Sequence, residues 1–247
     1  MGIDDSAGAN DLARPQSGMR ALVVEDEVEL AGLVGSYLQR DGFETALAHD
    51  GLEAVATARE VDPDVIVLDL GLPSLDGVEV CRQIRTFSDC YIVMLTARAE
   101  EIDTLIGLAV GADDYMAKPF SPRVLIARIT SMLRRPRTTL STLDGHQAQR
   151  FGALAIDVQG RDVWLDGEPV HLTRTEFDVL ATLADHPRMA FSRRQLIERV
   201  WGETWVGDEH LVDVHVGHLR RKLGDDATRG RYVRTVRGIG YRMGTGE

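Results

Sequence analysis

The segment Val65–Asp69 (VIVLD) places a carboxylate directly after four apolar residues, and this stretch decides the fold of the first half of the chain. A short, continuous apolar run is typical of a strand that is buried on both faces of a parallel sheet. The same arrangement leads into Glu25 and Asp26, and two further segments end at Thr96 and Lys118. Because ligands bind at the edge where parallel strands end, the sequence predicts that these polar side chains lie together.

From residue 19 to residue 136, short apolar runs alternate with amphipathic stretches, which is the pattern of a parallel α/β sheet. The apolar positions of the first predicted helix are Leu30, Leu33, Val34, Tyr37 and Leu38. The other predicted helices are Gly51–Val61, Gly77–Arg85, Glu100–Leu108 and Ser121–Arg134. Five strands and five helices favour a flavodoxin-like, doubly wound, five-stranded parallel domain with its crevice beside the first and third strands.

The residues at this edge suit divalent metal binding and phosphoryl transfer. Carboxylates that lie close together repel one another strongly unless a cation lies among them, and Mg²⁺ accepts carboxylate and phosphate oxygens. Asp69 is then a candidate nucleophile towards a phosphoryl group, while Lys118 neutralises charge on that group and the Thr96 hydroxyl donates to it. Taken singly, an Asp after a strand is usually a loop or capping residue. The joint placement of five such residues at one edge favours the functional interpretation.

Length and composition restrict the class of protein. The 247 residues allow two domains with separate cores, and 44% hydrophobic with 27% charged residues is typical of a soluble protein. No apolar stretch reaches the ~18–20 residues of a membrane span. Residues 1–18 lack a signal-peptide pattern and are predicted to be a disordered extension. Two cysteines, Cys81 and Cys90, in a chain this long fit a reducing cytoplasm.

The second half begins, after a polar linker at residues 137–149, with small strands and ends with helices and a hairpin. Strands are predicted over Phe151–Ile156, Asp162–Leu165 and Pro169–Leu172. Capping boxes at Thr173–Glu176 and Ser192–Gln195 open two helices. A third helix is predicted over His210–Leu223, and a glycine-containing hairpin follows at Val236–Tyr241. This order predicts a winged helix-turn-helix domain.

The third helix has one apolar and one basic stripe. The apolar stripe consists of Val212, Val216, Leu219 and Leu223. The opposite face offers Val214, Gly217, His218 and Arg221, flanked by Arg220 and Lys222. A charged helix face is usually only solvated, but basic residues continue into the hairpin, so that Gly217–Arg242 has eight bases against two acids. This local charge predicts binding to the major groove of double-stranded DNA despite the overall net charge of −11.

Four motifs of the first half resemble the receiver domain of bacterial response regulators. They are Val23–Glu27, Val67–Pro73, Met94–Ala97 and Gly111–Phe120. The resemblance implies that Asp69 accepts phosphate from a sensor histidine kinase. It implies a Mg²⁺ site made of Glu25, Asp26, Asp69 and the backbone carbonyl of Gly71. It also implies that Thr96 and Tyr115 are a switch pair, in which the hydroxyl moves towards the phosphate and the ring turns inward.

The same family forms active dimers through the fourth helix, the fifth strand and the fifth helix of the receiver. Asp114 and Arg128 match one of its cross-subunit ion pairs, whereas Thr104 and Val124 stand where a basic residue and a glutamate are common. Because both partners of this second pair are missing together, no unpaired charge is left. We therefore expect a dimer with a weaker dependence on salt.

The second half resembles the effector domain of OmpR/PhoB-type regulators in the order of its elements and in several motifs. These are Trp164, Leu172–Phe177, Val200–Gly202, Val212–Val216, Leu219–Leu223 and Arg237–Tyr241. By this resemblance, Arg237 reaches the minor groove, Thr235 and Trp201 lie near phosphates, and the loop Gly202–Asp208 faces RNA polymerase. The departures at Gly217 and His218 mean that base preference cannot be transferred.

These expectations describe a cytoplasmic, non-enzymatic transcription factor that dimerises and binds DNA more strongly when Asp69 is phosphorylated. Its predicted domains are a receiver at residues 19–136 and a winged-helix domain at residues 150–245. One alternative is a regulator that binds DNA constitutively, which the intact acid cluster disfavours. A second is an Asp-nucleophile phosphohydrolase, which is disfavoured because such enzymes need a second Asp where this chain has Gly71.

Overall fold

The structure is a computed structural model that describes residues 18–96, 110–133, 148–203 and 205–247. The helix predicted over Glu100–Leu108, with Thr104 inside it, and most of the predicted extension and linker lie outside the described residues. Within these ranges the chain forms a first domain around a parallel sheet and a second domain with two antiparallel sheets.

The first domain contains a five-stranded parallel sheet with the strand order β2-β1-β3-β4-β5. Its strands are β1 (Arg20–Val24), β2 (Glu44–Ala48), β3 (Val65–Asp69), β4 (Tyr91–Thr96) and β5 (Asp114–Ala117). The central strands β1, β3 and β4 are almost entirely buried, which explains their continuous apolar sequences. The predicted flavodoxin-like fold is confirmed.

Four helices of the described residues accompany this sheet: α1 (Val28–Arg40), α2 (Gly51–Val61), α3 (Gly77–Ile84) and α4 (Pro122–Leu133). Asp50 and Asp76 begin α2 and α3, because their side chains accept hydrogen bonds from backbone N–H groups of the first turn. After α1 the chain turns at Gly42, whose φ of 98° favours glycine. These caps set where the helices begin behind the strand ends.

The second domain begins with a four-stranded antiparallel sheet. Its strands are β6 (Gln149–Phe151), β7 (Leu154–Asp157), β8 (Asp162–Leu165) and β9 (Glu168–Pro169). The single strand predicted over Phe151–Ile156 is wrong, because the chain turns at Gly152 with a φ of 59° and Phe151 pairs with Leu154. The strand predicted over Pro169–Leu172 is also wrong in its bounds, because only its first residue belongs to β9.

Three helices and a three-stranded sheet complete the winged-helix fold. They are α5 (Arg174–Asp185), α6 (Arg193–Val200), α7 (Leu211–Lys222), β10 (Phe191–Ser192), β11 (Val233–Val236) and β12 (Gly240–Met243). Both predicted capping boxes are present, from Thr173 to Glu176 and from Ser192 to Gln195. β11 and β12 form the predicted hairpin, and β10, which was not predicted, pairs with β12.

Both domains have buried apolar interiors. Ile66 and Ile92 are fully buried in the first domain, as are Phe191 and Val216 in the second. Both thiols are free and buried. None of the helices that the structure describes is long and apolar enough to cross a membrane.

Candidate functional site

The predicted acidic cluster forms at the carboxyl edge of the parallel sheet. Glu25 and Asp26 follow β1, and Asp69 is the last residue of the neighbouring strand β3. Oxygen atoms of the three carboxylates lie within 4.8 Å of one another. Glu25 and Asp69 are buried, whereas Asp26 is exposed. The topology thus concentrates negative charge at one position on the sheet edge.

Lys118 contacts this cluster from the end of β5. Its Nζ donates to Oε2 of Glu25 at 2.7 Å and to Oδ2 of Asp69 at 3.0 Å. Its backbone N–H donates to the carbonyl oxygen of Thr96 at 2.7 Å, and the peptide bond from Lys118 to Pro119 is cis. The pKa of Lys118 is raised, because hydrogen bonds and attraction from the two carboxylates outweigh the lowering effect of burial. Lys118 is therefore a cation at neutral pH.

The donor set fits a hard divalent cation such as Mg²⁺. Burial raises the pKa of Glu25 and repulsion from Asp69 adds to this, while Lys118 opposes both effects. A cation among the carboxylates relieves that repulsion, and carboxylate oxygens are ligands that Mg²⁺ prefers. Gly71 adjoins the cluster, since a Cβ at this residue would lie 3.7 Å from Oδ2 of Asp69. Its backbone is therefore near enough to belong to the same site.

Gly77 is a neighbour of the candidate site that was not predicted from the sequence. A Cβ at Gly77 would lie 2.2 Å from the carbonyl oxygen of Asp69 and 2.8 Å from Cα of Leu70. The Gly77 N–H donates to the carbonyl oxygen of Leu70 at 3.2 Å. Only glycine allows α3 to begin this close behind β3, so this residue helps to hold Asp69 in place.

The predicted switch pair lies on the neighbouring strands β4 and β5. Thr96 ends β4 and is buried. Tyr115 lies opposite Met94 in β5 and is half-buried. Burial raises the pKa of the Tyr115 phenol, and the backbone of Asp208 in the second domain opposes this rise. The phenol therefore lies within the electrostatic influence of the part of the chain that it is expected to regulate.

The two domains contact each other at two consecutive aspartates that precede and begin β5. Nε1 of Trp201 donates to the carbonyl oxygen of Asp113 at 3.1 Å, and Nε1 of Trp205 donates to the Asp114 carboxylate at 3.2 Å. Nε2 of His215 lies 3.3 Å from the same carbonyl oxygen of Asp113. All five residues are buried. Trp201, predicted to lie near DNA phosphates, is thus enclosed between the domains in this structure.

The pair matched to the family's dimer contact is formed within this one chain. Nη1 of Arg128 lies 3.2 Å from the Asp114 carboxylate. Arg128 also donates to the carbonyl oxygen of Val206, and its guanidinium lies 5.2 Å from the ring centroid of Trp205. The second domain therefore covers this part of the predicted dimer surface. The remaining positions of that surface are Val124, which is exposed, and Thr104, which lies outside the described residues.

Two further contacts lie at or beside this boundary. Arg85, next to α3, pairs with the Asp113 carboxylate at 2.6 Å within the first domain. The hydroxyl of Tyr91 donates to Asp178 at 3.1 Å. No local pattern predicts these contacts, because each joins segments that are far apart in the chain.

The predicted buried stripe of α7 is confirmed, since Val212, Val216, Leu219 and Leu223 are at most 1% exposed. On the predicted DNA face, Gly217, Arg221 and Lys222 are exposed, and Val214 and Arg220 are half-buried. His218 differs, because it is 7% exposed and its Nδ1 lies 3.5 Å from the Glu176 carboxylate. In this structure His218 is therefore not presented on the outer face.

One buried carboxylate joins α7 to α5. Glu176 accepts a hydrogen bond from Nζ of Lys222 at 2.6 Å and from the backbone N–H of Thr173 at 2.8 Å. Burial alone would raise the pKa of Glu176, but the hydrogen bond with His218 and the charge of Lys222 lower it to about 2. Glu176 is thus ionised at neutral pH and orients the end of the candidate DNA-reading helix.

The hairpin of β11 and β12, the wing of the winged-helix fold, is attached to α7 by Arg220. Nη2 of Arg220 donates to the carbonyl oxygen of Val233 and to Oγ1 of Thr235, both at 2.7 Å. Asp213 at the other end of α7 accepts from the Tyr241 hydroxyl at 2.7 Å. Arg237 is exposed at the turn of the hairpin. These contacts hold the hairpin against α7 near both ends of the helix.

Two family models match this chain. Residues 21–130 match the response regulator receiver domain, and residues 167–243 match the C-terminal domain of transcriptional regulatory proteins. The fold and the acidic site accordingly define a response regulator with a transcriptional regulatory domain. The first and second domains are called the receiver domain and the effector domain from here on.

Individual relatives agree with this class. The chain is 44% identical over 226 residues to YclJ, an uncharacterized transcriptional regulatory protein of Bacillus subtilis, with 91% of this chain and 99% of that protein covered. It is 43% identical over 229 residues to the DNA-binding response regulator MtrA of Mycobacterium tuberculosis, with 91% and 96% covered. The solved structure of a RitR mutant has a TM-score of 0.71 at 30% identity and covers 92% of this chain and 99% of that one. The chain belongs to the OmpR/PhoB family of response regulators.

Proposed function

We propose that Asp69 is the phosphoacceptor of this regulator and that a sensor histidine kinase is the phosphodonor. The observation that carries the proposal is the convergence of three carboxylates and the Lys118 ammonium at the carboxyl edge of the sheet, with Lys118 bonded to Asp69 at 3.0 Å. Phosphoryl transfer needs this combination, because the nucleophile and the transferred group are both anionic.

Each residue has a distinct part in the proposed reaction. An oxygen of Asp69 attacks phosphorus, and the bond from phosphorus to the donor nitrogen breaks, so that an aspartyl phosphate forms. Lys118 balances charge on the transferred group, and the Thr96 hydroxyl donates to one of its oxygens. When Mg²⁺ is bound by Glu25, Asp26, Asp69 and the Gly71 carbonyl, it supplies further positive charge to the phosphoryl oxygens.

Phosphorylation is proposed to act on the rest of the chain by population shift. Asp114 and Arg128 cannot join a receiver dimer while they bind Trp205 and Val206 of the effector domain. We call the arrangement in which the effector domain contacts Asp113, Asp114 and Arg128 the docked arrangement. A bias of a few kcal/mol from the phosphoryl group, transmitted through Thr96 and Tyr115, is enough to favour the dimer over it.

The dimer is proposed to bind two DNA half-sites about one helical turn apart, ~10–11 base pairs. The candidate contacts are Val214, His218, Arg220, Arg221, Lys222, Thr235, Arg237 and Trp201. Two of them, His218 and Trp201, are buried in the docked arrangement, so their participation requires the effector domain to rearrange. The loop Gly202–Asp208, proposed to face RNA polymerase, is likewise held against the receiver through Trp205.

Intact mass spectrometry after treatment with acetyl phosphate and Mg²⁺ tests the phosphoacceptor. The wild type is expected to gain one phosphoryl group, and Asp69→Asn is expected to gain none. Asp62→Asn is a matched control, because Asp62 is an exposed acid whose left-handed φ of 45° an asparagine tolerates. It should behave like the wild type. Equal mass gain in Asp69→Asn would contradict the assignment, and no gain in the wild type would favour a constitutive DNA-binding regulator.

A further inference from the structure

His215 lies enclosed at the boundary between the receiver and effector domains. It belongs to α7 and is 1% exposed. Its Nε2 faces the carbonyl oxygen of Asp113 at 3.3 Å, and Nε1 of Trp201 donates to the same oxygen at 3.1 Å. A carbonyl oxygen only accepts, so Nε2 must carry the hydrogen in this contact.

The other ring nitrogen of His215 faces no hydrogen-bond acceptor among the described residues. Nδ1 is buried and has no hydrogen-bond partner among the described residues. A neutral ring leaves this nitrogen as an unprotonated acceptor, whereas a protonated ring adds a buried N–H that nothing accepts. Leaving a charged donor buried and unsatisfied is strongly unfavourable.

The charged groups around His215 come from both domains. On the receiver side the Arg85 guanidinium, paired with Asp113, repels a proton on the ring. On the effector side His218 of α7 opposes protonation, while Glu176 of α5 favours it. Glu176 is already paired with Lys222 at 2.6 Å, so it offers little net negative charge to the ring. The surroundings therefore suit a neutral imidazole.

We propose that His215 makes the docking of the effector domain on the receiver sensitive to acid, because only the neutral ring fits between the domains. Docking becomes weaker as the pH falls, and the undocked form accumulates without phosphorylation. The consequence for dimerisation and DNA binding rests on the proposed function, whereas the acid sensitivity of docking is independent of it.

The sign and size of the effect follow from linkage. Burial lowers the pKa of His215 to about 4 in the docked form, against the ordinary value of 6.5 for a solvated histidine. At pH 7.5 and above the ring is almost entirely neutral in both forms and docking is unaffected. Between pH 6.5 and 4 only the undocked form takes up the proton. The ratio of docked to undocked chains should therefore fall about tenfold between pH 7.5 and pH 5.5.

The buried receiver acids work in the opposite direction. Burial raises the pKa of Asp113 and of Asp114, against the opposing effects of Arg85 and Arg128. A raised pKa in the docked form means that protonation of these acids favours docking at low pH. Protonation of Asp113 and Asp114 can therefore reduce the loss of docking at low pH, but it cannot cause such a loss.

Hydrogen exchange of the tryptophan indoles measures docking directly in the unphosphorylated, metal-free full-length chain. The indole N–H groups of Trp201 and Trp205 are held by receiver atoms, and Trp164 in β8 serves as the reference within the effector domain. We expect protection of Trp201 and Trp205, corrected for intrinsic exchange, to fall about tenfold between pH 7.5 and 5.5. Unchanged or increased protection at pH 5.5 overturns the proposal.

The matched variant is His215→Gln, whose amide donates to the Asp113 carbonyl but does not titrate. Its protection should lack the fall at low pH, and an equal fall in this variant overturns the proposal. If the variant does not fold, NMR titration of the wild-type imidazole decides. A His215 ring that titrates near pH 6.5 while Trp201 stays protected overturns the proposal, and a ring that stays neutral well below that pH supports it. Since no phosphodonor is present, these outcomes are independent of whether Asp69 is the phosphoacceptor.

Discussion

Replacement of Glu176 by Gln should destabilise the effector domain without moving its backbone. Glutamine can still complete the capping box with Thr173, as Gln195 does in the second box of this domain. It cannot pair with Lys222 or His218, which lie 2.6 Å and 3.5 Å from the carboxylate. The variant therefore removes the charge and preserves the cap.

The size of the effect follows from the pKa of this buried carboxyl. Because the Glu176 pKa is lowered from 4.5 to about 2, ionised Glu176 stabilises the folded domain by about 3 kcal/mol at neutral pH. A lowered pKa gives stability that is present above pH 4.5 and lost as the pH falls towards 2. The difference between wild type and variant should therefore stay constant from pH 7 to about 5 and shrink at lower pH.

Urea denaturation followed by tryptophan fluorescence measures this difference. Trp164, Trp201 and Trp205 are the three tryptophans of the chain, and all belong to the effector domain, so the signal reports on that domain and on its contact with the receiver. Glu198→Gln is the control, because Glu198 forms an exposed pair with Arg194 and its loss should change stability by at most ~0.5 kcal/mol. Equal destabilisation by the two variants at neutral pH would refute the argument from burial.

Two further substitutions test the positions of the candidate functional groups. Gly77→Ala should lower receiver stability by about 1–3 kcal/mol and slow phosphorylation of Asp69, because its Cβ would lie 2.2 Å from the Asp69 carbonyl oxygen. The control is Gly32→Ala on α1, which has open space around it and should be neutral or slightly stabilising. Thermal unfolding measures the stability, and mass spectrometry measures the phosphorylation. Arg220→Ala should weaken DNA binding, because it removes the hydrogen bond to Thr235 that holds the hairpin β11–β12. Increased hydrogen exchange in β11 would distinguish this effect from the loss of a phosphate contact alone.

Much of the fold and the acidic site was predictable because the deciding interactions are local. The alternation of apolar runs and helices predicts a parallel sheet, and in such a sheet the ends of β1 and β3 are neighbours. Glu25, Asp26 and Asp69 therefore come together without any knowledge of side-chain packing. The capping boxes were predictable for the same reason, since each involves residues three positions apart.

The incorrect strand at Phe151–Ile156 shows where local patterns are insufficient. Its apolar residues suit one continuous strand, but the left-handed conformation at Gly152 reverses the chain and makes a hairpin. A Cβ at Gly152 would lie only 2.3 Å from the carbonyl oxygen of Gly246 and 3.0 Å from its Cα. The close approach of a distant segment therefore explains why residue 152 is glycine. The sequence around Gly152 contains no information about that approach.

The sequence by itself determined the two domain folds, the acid cluster and the basic helix with its hairpin, because each depends on periodicity, caps or strand ends. Only the tertiary structure decided how these parts are used together. Trp205 bonds to Asp114 across 91 residues, and His215 approaches Asp113 across 102. Such contacts depend on the complementary shape and charge of two folded surfaces. Neither surface exists until its own domain has formed, so no pattern along the chain encodes the contact between them.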